Sequence, residues 1–212
     1  PAFLHRVCAG RMDVPVGRVT YTPILNTRGG YESDVVALRI RDDAYLIVTG
    51  SVQQTRDMDL LRRHIAADEF VTLTDLTSAY AVIGVMGPNA RTLLSRLSPD
   101  DFTNEGFPYL THREIEIGDT VARASRISYV GELGWELYVP SEAALPLYDR
   151  IREAGSDLGI ENAGSFAMAG LRIEKGYCAW GHDIGPDDTP LQAGIGFATK
   201  LSSNTDFTGR AA

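Results

Sequence analysis

A Gly-Gly turn between two β-type runs is the feature that most constrains the fold of this chain. Val16–Leu25 and Asp34–Ile40 are rich in β-branched and aromatic residues, and Asn26–Gly30 (Asn-Thr-Arg-Gly-Gly) lies between them. Glycine adopts positive φ without steric cost, so the two runs are expected to pair as an antiparallel hairpin. A third run, Tyr45–Thr49, follows closely. The pattern predicts an antiparallel meander rather than a nucleotide-binding βαβ unit.

Apolar spacing in the rest of the chain predicts helices packed against further strands. In Thr55–Ala66 the apolar residues Met58, Leu61 and Ile65 recur at helical spacing, and Asp57 falls among the charged residues outside that stripe. The other predicted strands are Val71–Asp75, Tyr80–Met86, Glu114–Ile117, Ala122–Ser128 and Trp135–Val139. The other predicted helices are Phe3–Ala9, Gly87–Leu97, Ser141–Glu153 and Ala163–Glu174. Because the later elements echo the early order, we expect an α+β fold of pseudo-duplicated antiparallel sheets with packed helices.

Composition narrows the function classes. The chain has 212 residues, 44% hydrophobic and 23% charged, which suits a globular protein with a sizeable core. A net charge of −8 argues against an electrostatic interaction with nucleic acid or with an anionic membrane. Cys8 and Cys178 are far apart and join no Cys–His cluster, so we expect no metal site and a reducing compartment. No apolar run reaches the roughly 18–20 residues of a membrane span.

The Gly-Gly turn is also the first candidate site. Two glycines would let the backbone approach a ligand closely, and the carboxylate of Asp34 follows at the entrance of the next predicted strand. A plain hairpin turn with a solvated aspartate accounts for the same residues, and composition alone favours it. Gly50, which ends Tyr45–Thr49, leaves the same two interpretations open: close approach to a ligand or a structural turn.

The second candidate site lies within Ser128–Leu137, where Tyr129 and Glu136 flank a glycine-containing turn. An aromatic ring suits the flat apolar face of a bound heterocycle, and a carboxylate suits an edge that carries two parallel N–H donors. Glu132, inside the turn, is the reserve candidate. A hairpin with a packed tyrosine and an exposed glutamate is equally consistent with these residues.

The third candidate site is Ala169–Lys200, which joins a helix end, a Tyr-Cys-Ala-Trp run expected to be buried, and a loop rich in Gly, Pro and Asp. Arg172 lies on the predicted helix, and we expect the chain to carry Tyr177 into the interior. A surface arginine and a core tyrosine are the structural alternatives. Gly185–Pro190 is either part of the site or a rigid surface loop.

These segments resemble the folate-dependent aminomethyltransferase (glycine cleavage T-protein) family. Asn26–Asp34 resembles the pattern N-x-x-G-G-x-x-x-D, with Ser33 where other members have a second aspartate. Ser128–Glu136 resembles G-Y-x-G-E-x-G-x-E, with serine in place of the first glycine. The third segment looks most like the folate-binding C-terminal region of dimethylglycine and sarcosine dehydrogenases, through Arg172, Glu174–Tyr177, Gly181–Ile184 and Pro190-Leu191.

The resemblance implies tetrahydrofolate as the cofactor and one-carbon transfer as the reaction. A methylamine or aminomethyl donor of the dimethylglycine or sarcosine type would supply the carbon, and the product would be 5,10-methylenetetrahydrofolate. Asp34 is the implied catalytic carboxylate, beside the reactive edge of tetrahydrofolate. The implied cofactor-binding residues are Tyr129, Glu136, Tyr177, Arg172, Gly50 and, in reserve, Glu132.

The resemblance also implies a domain organisation. We expect residues 1–212 to be the central part of the folate-binding domain, with both ends truncated and the terminal β-barrel absent. FAD is expected only in a missing upstream domain, through a fused FAD-dependent dehydrogenase. The expected partners are folate and a small methylamine, and the expected compartment is the cytoplasm, or the mitochondrial matrix in a eukaryote.

Two alternatives remain open from the sequence. Non-enzymatic folate-binding proteins of iron–sulfur cluster maintenance share the implied fold and carry K-G-C-x-x-G-Q-E. Here Lys175–Asp183 shifts the cysteine and replaces Gln-Glu with His-Asp, which argues against that role. The other alternative is a folate-binding remnant that folds poorly alone, because missing segments would leave core surface exposed.

Overall fold

The computed structural model describes all residues, 1–212, and divides them into two compact units. Unit 1 combines Pro1–Asp75 with Cys178–Ala212, and unit 2 is Leu76–Tyr177. Each unit contains one antiparallel sheet. No helix of the chain is long and apolar enough to cross a membrane.

Unit 1 is built on a three-stranded meander in the order β1-β2-β3. Its strands are β1 (Val19–Leu25), β2 (Tyr31–Arg41) and β3 (Ala44–Val48), and its helices are α1 (Ala2–Val7) and α2 (Gln54–Arg63). Short 3₁₀ turns occupy Ser51–Gln53 and Gly196–Ala198. Alternation along β2 buries Ser33, Val35 and Ala37 on one face, while Asp34 belongs to the opposite face. Val35 and Ala37 pack with α1 and with Leu60 and Leu61 of α2 in the core of this unit.

Unit 2 is built on a four-stranded sheet in the order β4-β7-β6-β5. Its strands are β4 (Tyr80–Met86), β5 (His112–Ile117), β6 (Thr120–Ser125) and β7 (Gly134–Pro140), and its helices are α3 (Ala90–Leu97), α4 (Ala144–Ala154) and α5 (Ser165–Glu174). Short 3₁₀ turns occupy Thr77–Ala79, Ser141–Ala143 and Ser156–Leu158. The core centres on Trp135, whose ring meets that of Phe102 edge to face at 5.3 Å between centroids.

The predicted fold class is confirmed, since both sheets are antiparallel and helices pack on them. The prediction of a strand at Val71–Asp75 is wrong. Val71 and Leu73 rest against the core of unit 1, but the backbone of that segment joins no strand ladder. The predicted helix Gly87–Leu97 begins only at Ala90, because Gly87 has a φ of 120°, far from helical values.

Two further differences bear on the candidate site. Asp34 was expected at the entrance of its strand, but β2 already begins at Tyr31, which pairs with Leu25. Asp34 therefore lies inside the ladder of β1 and β2, opposite Pro23. Asp57 was expected on the charged side of its helix, but it is buried on the inner side of α2 with Leu60 and Leu61. Helical spacing places these three residues on one face, three and four positions apart.

Candidate functional site

The Gly-Gly turn before β2 packs against the chain's own C-terminal segment within unit 1. Oδ1 of Asn26 accepts hydrogen bonds from the backbone N–H groups of Arg28 at 2.9 Å and Gly30 at 3.0 Å, which closes the turn. Nδ2 of Asn26 donates to the carbonyl oxygen of Pro186 at 2.9 Å. A Cβ on Gly30 would lie 1.9 Å from that same carbonyl oxygen. Gly30 is therefore required by contact with Gly185–Pro190, and that loop anchors the turn.

Asp34 lies four positions into β2, on the face that carries Tyr21 of β1. The hydroxyl of Tyr21 donates a hydrogen bond of 3.0 Å to Oδ2 of Asp34. Burial raises the pKa of Asp34, the negative charge of Asp57 raises it further, and the hydrogen bond from Tyr21 opposes both. Asp34 is thus a partly buried carboxylate with a raised proton affinity, not the solvated hairpin aspartate that composition favoured.

The phenols of Tyr21 and Tyr31 lie near Asp34 within unit 1, and the thiol of Cys178 lies near both phenols. Burial, followed by the charge of Asp34, raises the pKa of both Tyr21 and Tyr31, so both hydroxyls stay protonated. The Tyr31 hydroxyl is buried and makes no hydrogen bond with the chain. Cys178 interacts electrostatically with both tyrosines, and its side chain is half-buried. The carboxylate therefore faces donors and no basic side chain that would neutralise it.

Gly50 is exposed and has ordinary backbone geometry, with a φ of −61°. A Cβ at this position would meet the side chain of Gln53 at 3.6 Å, a normal van der Waals distance. The fold of the chain therefore does not require glycine there. Its predicted role in close approach to a ligand stays a prediction.

Tyr129 and Tyr177 form an aromatic pair in unit 2. Their ring centroids lie 6.4 Å apart, and the ring planes differ by 23°. Each side chain is 37% exposed, so each ring keeps a surface that faces solvent. The expectation that Tyr177 enters the interior is wrong, because Gly176 turns the chain at a φ of 69° directly after α5. The pair is an open, flat apolar surface.

Arg172 lies on α5 and fixes the backbone of Tyr177. Its guanidinium Nη1 donates to the carbonyl oxygen of Tyr177 at 2.7 Å, and the Tyr177 N–H donates to the carbonyl oxygen of Arg172 at 2.9 Å. Arg172 is buried, with 6% of its surface exposed, so the helix-surface interpretation is wrong. It acts on the aromatic pair through the position of Tyr177.

Glu136 projects from β7 on the face opposite the Trp135 core and is half-buried. The hydroxyl of Tyr138, two residues along the same face, donates to Oε2 of Glu136 at 2.5 Å. Burial raises the pKa of Glu136, and the hydrogen bond from Tyr138 opposes that shift. Glu132, the reserve candidate, is exposed in the loop between β6 and β7.

Three residues that interact with the candidate site residues belong to none of the sequence motifs. Tyr21 is identified only by its hydrogen bond with Asp34, and Asp57 only by its burial beneath β2. Tyr109 interacts electrostatically with Tyr177 and precedes Leu110, the one non-glycine residue with positive φ, at 58°. A positive φ in a branched residue marks a backbone held by its surroundings, and no sequence pattern predicts it.

The architecture defines the class of this protein. A glycine cleavage aminomethyltransferase T structure from Bartonella henselae superimposes with a TM-score of 0.81, covering 99% of this chain and 56% of that one, at 24% identity. At that identity the match shows the fold, which is of the aminomethyltransferase type. The family model for the GCVT N-terminal domain matches residues 1–203. The chain belongs to the GCVT N-terminal domain family.

Curated relatives are much longer than this chain. A 4-methylaminobutanoate oxidase (formaldehyde-forming) of Paenarthrobacter nicotinovorans is 43% identical over 199 residues, which is 94% of this chain and 24% of the relative. A mitochondrial dimethylglycine dehydrogenase of Rattus norvegicus is 35% identical over 211 residues, covering 99% of this chain and 24% of the relative. The chain spans about a quarter of the length of these relatives. The predicted resemblance to the aminomethyltransferase family and its dehydrogenase branch is confirmed.

Proposed function

We propose that this domain binds tetrahydrofolate and transfers one carbon to it, with 5,10-methylenetetrahydrofolate and the released amine as the products. The donor is an aminomethyl group, or a methylamine of the dimethylglycine or sarcosine type that an FAD-dependent dehydrogenase domain has already oxidised to the iminium. Membership of the GCVT N-terminal domain family supports the reaction type. The observation that carries the proposal is Asp34, a partly buried carboxylate with raised pKa that the Tyr21 hydroxyl holds at 3.0 Å. A carboxylate in such surroundings is suited to general acid–base work near neutral pH.

The side chains of unit 2 fit the chemistry of a pterin. The exposed faces of Tyr129 and Tyr177 suit a flat heterocycle, for which offset or near-parallel stacking is favourable. The half-buried carboxylate of Glu136 suits an edge with two parallel N–H donors. We propose pterin contact for these three residues, support of Tyr177 for Arg172, and subsidiary roles for Gly50 and Glu132.

In this proposal, bound tetrahydrofolate supplies a nucleophilic nitrogen that accepts the carbon. Asp34 holds negative charge where the donor carries a cationic carbon–nitrogen group, which stabilises that charge, and it can take up a proton released on transfer. Tyr21 restrains Oδ2 through its hydrogen bond and so orients the carboxylate. Such electrostatic stabilisation is worth a few kcal/mol, on the order of 10²-fold in rate.

The test is to separate binding from transfer in Asp34→Asn. The variant should keep the tetrahydrofolate affinity within about threefold of the wild-type value. It should lower the rate at which 5,10-methylenetetrahydrofolate forms from an aminomethyl or iminium donor about 10²-fold. Asp43→Asn, an exposed aspartate in the turn between β2 and β3, is the matched control and should change neither quantity. An unchanged transfer rate in Asp34→Asn would remove the assigned role of Asp34.

The proposal also covers the domain fused to this one and the cellular compartment. Fusion to an FAD-dependent dehydrogenase is suggested by relatives named dimethylglycine and sarcosine dehydrogenase, and the cytoplasm or the mitochondrial matrix is the proposed compartment. The relatives described above give no support to a role in iron–sulfur cluster maintenance. That alternative predicts folate binding without transfer, so the Asp34 experiment tests it too.

A further inference from the structure

Asp57 is a buried carboxylate at the junction of three elements in unit 1. It lies in the first turn of α2 with 3% of its surface exposed, on the helix face that otherwise carries Leu60 and Leu61. An ionised carboxylate in an apolar position costs free energy unless the surroundings compensate its charge. Its contacts therefore indicate what it does there.

One oxygen of Asp57 joins β2 and the end of β3 to the helix. Oδ2 accepts a hydrogen bond of 2.8 Å from the hydroxyl of Ser33 and another from the hydroxyl of Thr49. Ser33 immediately precedes Asp34 in β2, and Thr49 immediately precedes Gly50. The three side chains fix the backbone on the N-terminal side of Asp34 relative to α2.

The other oxygen of Asp57 is not fully compensated. Oδ1 is buried and accepts no hydrogen bond, and the nearest cation, Nη1 of Arg56, lies 3.6 Å away. That guanidinium is engaged elsewhere, since its Nη2 lies 2.7 Å from Oε2 of Glu32 and its Cζ lies over the Trp180 ring, 4.5 Å from the ring centroid. An asparagine would accept both hydroxyl bonds without burying a charge, so the hydrogen bonds alone do not explain the carboxylate.

The charge of Asp57 acts on Asp34. Both carboxylates belong to unit 1, and the negative charge of Asp57 adds to burial in raising the pKa of Asp34. The other titratable groups that interact with Asp34 are Tyr21 and Tyr31, and burial raises the pKa of both phenols, so they stay protonated and neutral. Asp57 is thus the one anionic neighbour among these groups.

We propose that Asp57 is a positioning residue for Asp34: it fixes the backbone of β2 through Ser33, and it holds a second negative charge across the strand from Asp34. The inference rests on the proposed function, in which Asp34 is the reacting carboxylate. A second anion strengthens Asp34 as a proton acceptor and adds to the negative potential that a cationic donor meets. The hydroxyl of Ser33 is a donor that matches the acceptor Oδ2 of Asp57.

The experiment follows the side-chain carboxyl ¹³C resonance of Asp34 with pH in the purified full chain, for the wild type and for Asp57→Asn. Removal of the charge should move the Asp34 midpoint to lower pH. Asp59→Asn is the matched control, because Asp59 lies on the same helix, is exposed and pairs with Arg63. The control should leave the midpoint where it is in the wild type. Equal midpoints in the two folded variants would overturn the proposal.

A second measurement covers the case in which Asp57→Asn does not fold. Ser33→Ala removes the hydroxyl that ties Oδ2 of Asp57 to β2, so the Asp57 carboxylate is no longer held against that strand and the Asp34 midpoint should again move to lower pH. A wild-type midpoint in the folded Ser33→Ala variant would then overturn the proposal. Neither measurement contains tetrahydrofolate, so a shifted midpoint without folate binding would contradict the proposed function and leave the Asp57–Asp34 pair standing.

Discussion

Arg172 and Tyr177 hold each other by two reciprocal hydrogen bonds at the end of α5. The guanidinium of Arg172 donates to the Tyr177 carbonyl at 2.7 Å, and the Tyr177 N–H donates to the Arg172 carbonyl at 2.9 Å. Because the Tyr177 ring is exposed and stacks only on Tyr129, little else fixes its position. A buried arginine thus sets the geometry of an exposed aromatic surface.

Arg172→Met should therefore weaken tetrahydrofolate binding, although Arg172 is not proposed to contact the cofactor itself. Loss of the guanidinium leaves the Tyr177 carbonyl without its donor, which should destabilise unit 2 by about 1–3 kcal/mol. A mobile Tyr177 ring should raise the dissociation constant roughly tenfold. Calorimetry and urea unfolding measure the two effects. Arg150→Met, which removes an exposed arginine of α4, should change neither quantity, and unchanged affinity in Arg172→Met would disprove the positioning role.

Alanine substitutions at Gly30 and Gly50 distinguish a glycine that the packing of the chain requires from one that a bound ligand would require. Gly30→Ala should destabilise the chain by at least about 1–3 kcal/mol, because its Cβ would overlap the Pro186 carbonyl oxygen. Gly50→Ala should leave the free energy of unfolding within about 0.5 kcal/mol, since the position is exposed and sterically open. If Gly50 approaches the ligand, the same variant should weaken tetrahydrofolate binding. Unchanged binding in Gly50→Ala would show that this glycine is not part of the site.

Lys200 should contribute strongly to the stability of unit 1. Its buried ammonium donates to the carbonyl oxygens of His5 at 2.6 Å, Cys8 at 2.5 Å and Gly10 at 3.2 Å, and so satisfies the end of α1. Lys200→Met preserves the chain length but removes every donor, so it should cost about 2–4 kcal/mol in the free energy of unfolding. Arg11→Met, at an exposed side chain of the same unit, should cost less than about 0.5 kcal/mol. Equal stabilities of the two variants in urea would contradict this account.

The raised pKa values of Asp34 and Glu136 predict how stability depends on pH. Their ordinary values are 3.8 and 4.5, and burial raises both in the folded chain. Between the ordinary and the raised values the folded state binds more protons than the unfolded state, so the free energy of unfolding falls as pH rises. Asp34→Asn and Glu136→Gln should each flatten that decline in urea unfolding from pH 4 upwards. The exposed Glu116→Gln should leave the slope as in the wild type, and a wild-type slope in the Asp34 and Glu136 variants would contradict the shifts.

Local patterns predicted much of the fold. Tyr80–Met86 was predicted with the bounds of β4, and the Gly-Gly turn correctly predicted that β1 and β2 pair. Both signals depend on residues close in sequence. Val71–Asp75 was mistaken for a strand because β-type composition cannot show that a ladder partner is missing.

The candidate site was less predictable, because distant contacts decide it. The bond from Asn26 to Pro186 spans 160 positions. The same Pro186 carbonyl requires glycine at position 30, for which the sequence left ligand approach and a plain hairpin turn open. Asp57 was expected to be a solvated helix residue, because its hydrogen-bond donors, Ser33 and Thr49, cannot be predicted from the residues next to it in sequence. Tyr177 looked like a core residue until its partner on the surface, Tyr129, was known.

The most direct test of the central claim is a calorimetric titration of the purified chain with tetrahydrofolate, beside Glu136→Ala and the matched control Glu116→Ala, an exposed glutamate of the same sheet. We predict saturable binding by the wild type and the control, and a loss of at least about tenfold in affinity for Glu136→Ala. Absence of binding by the folded wild type would contradict the assignment of this domain to tetrahydrofolate, and equal affinity of the two variants would contradict the role of Glu136.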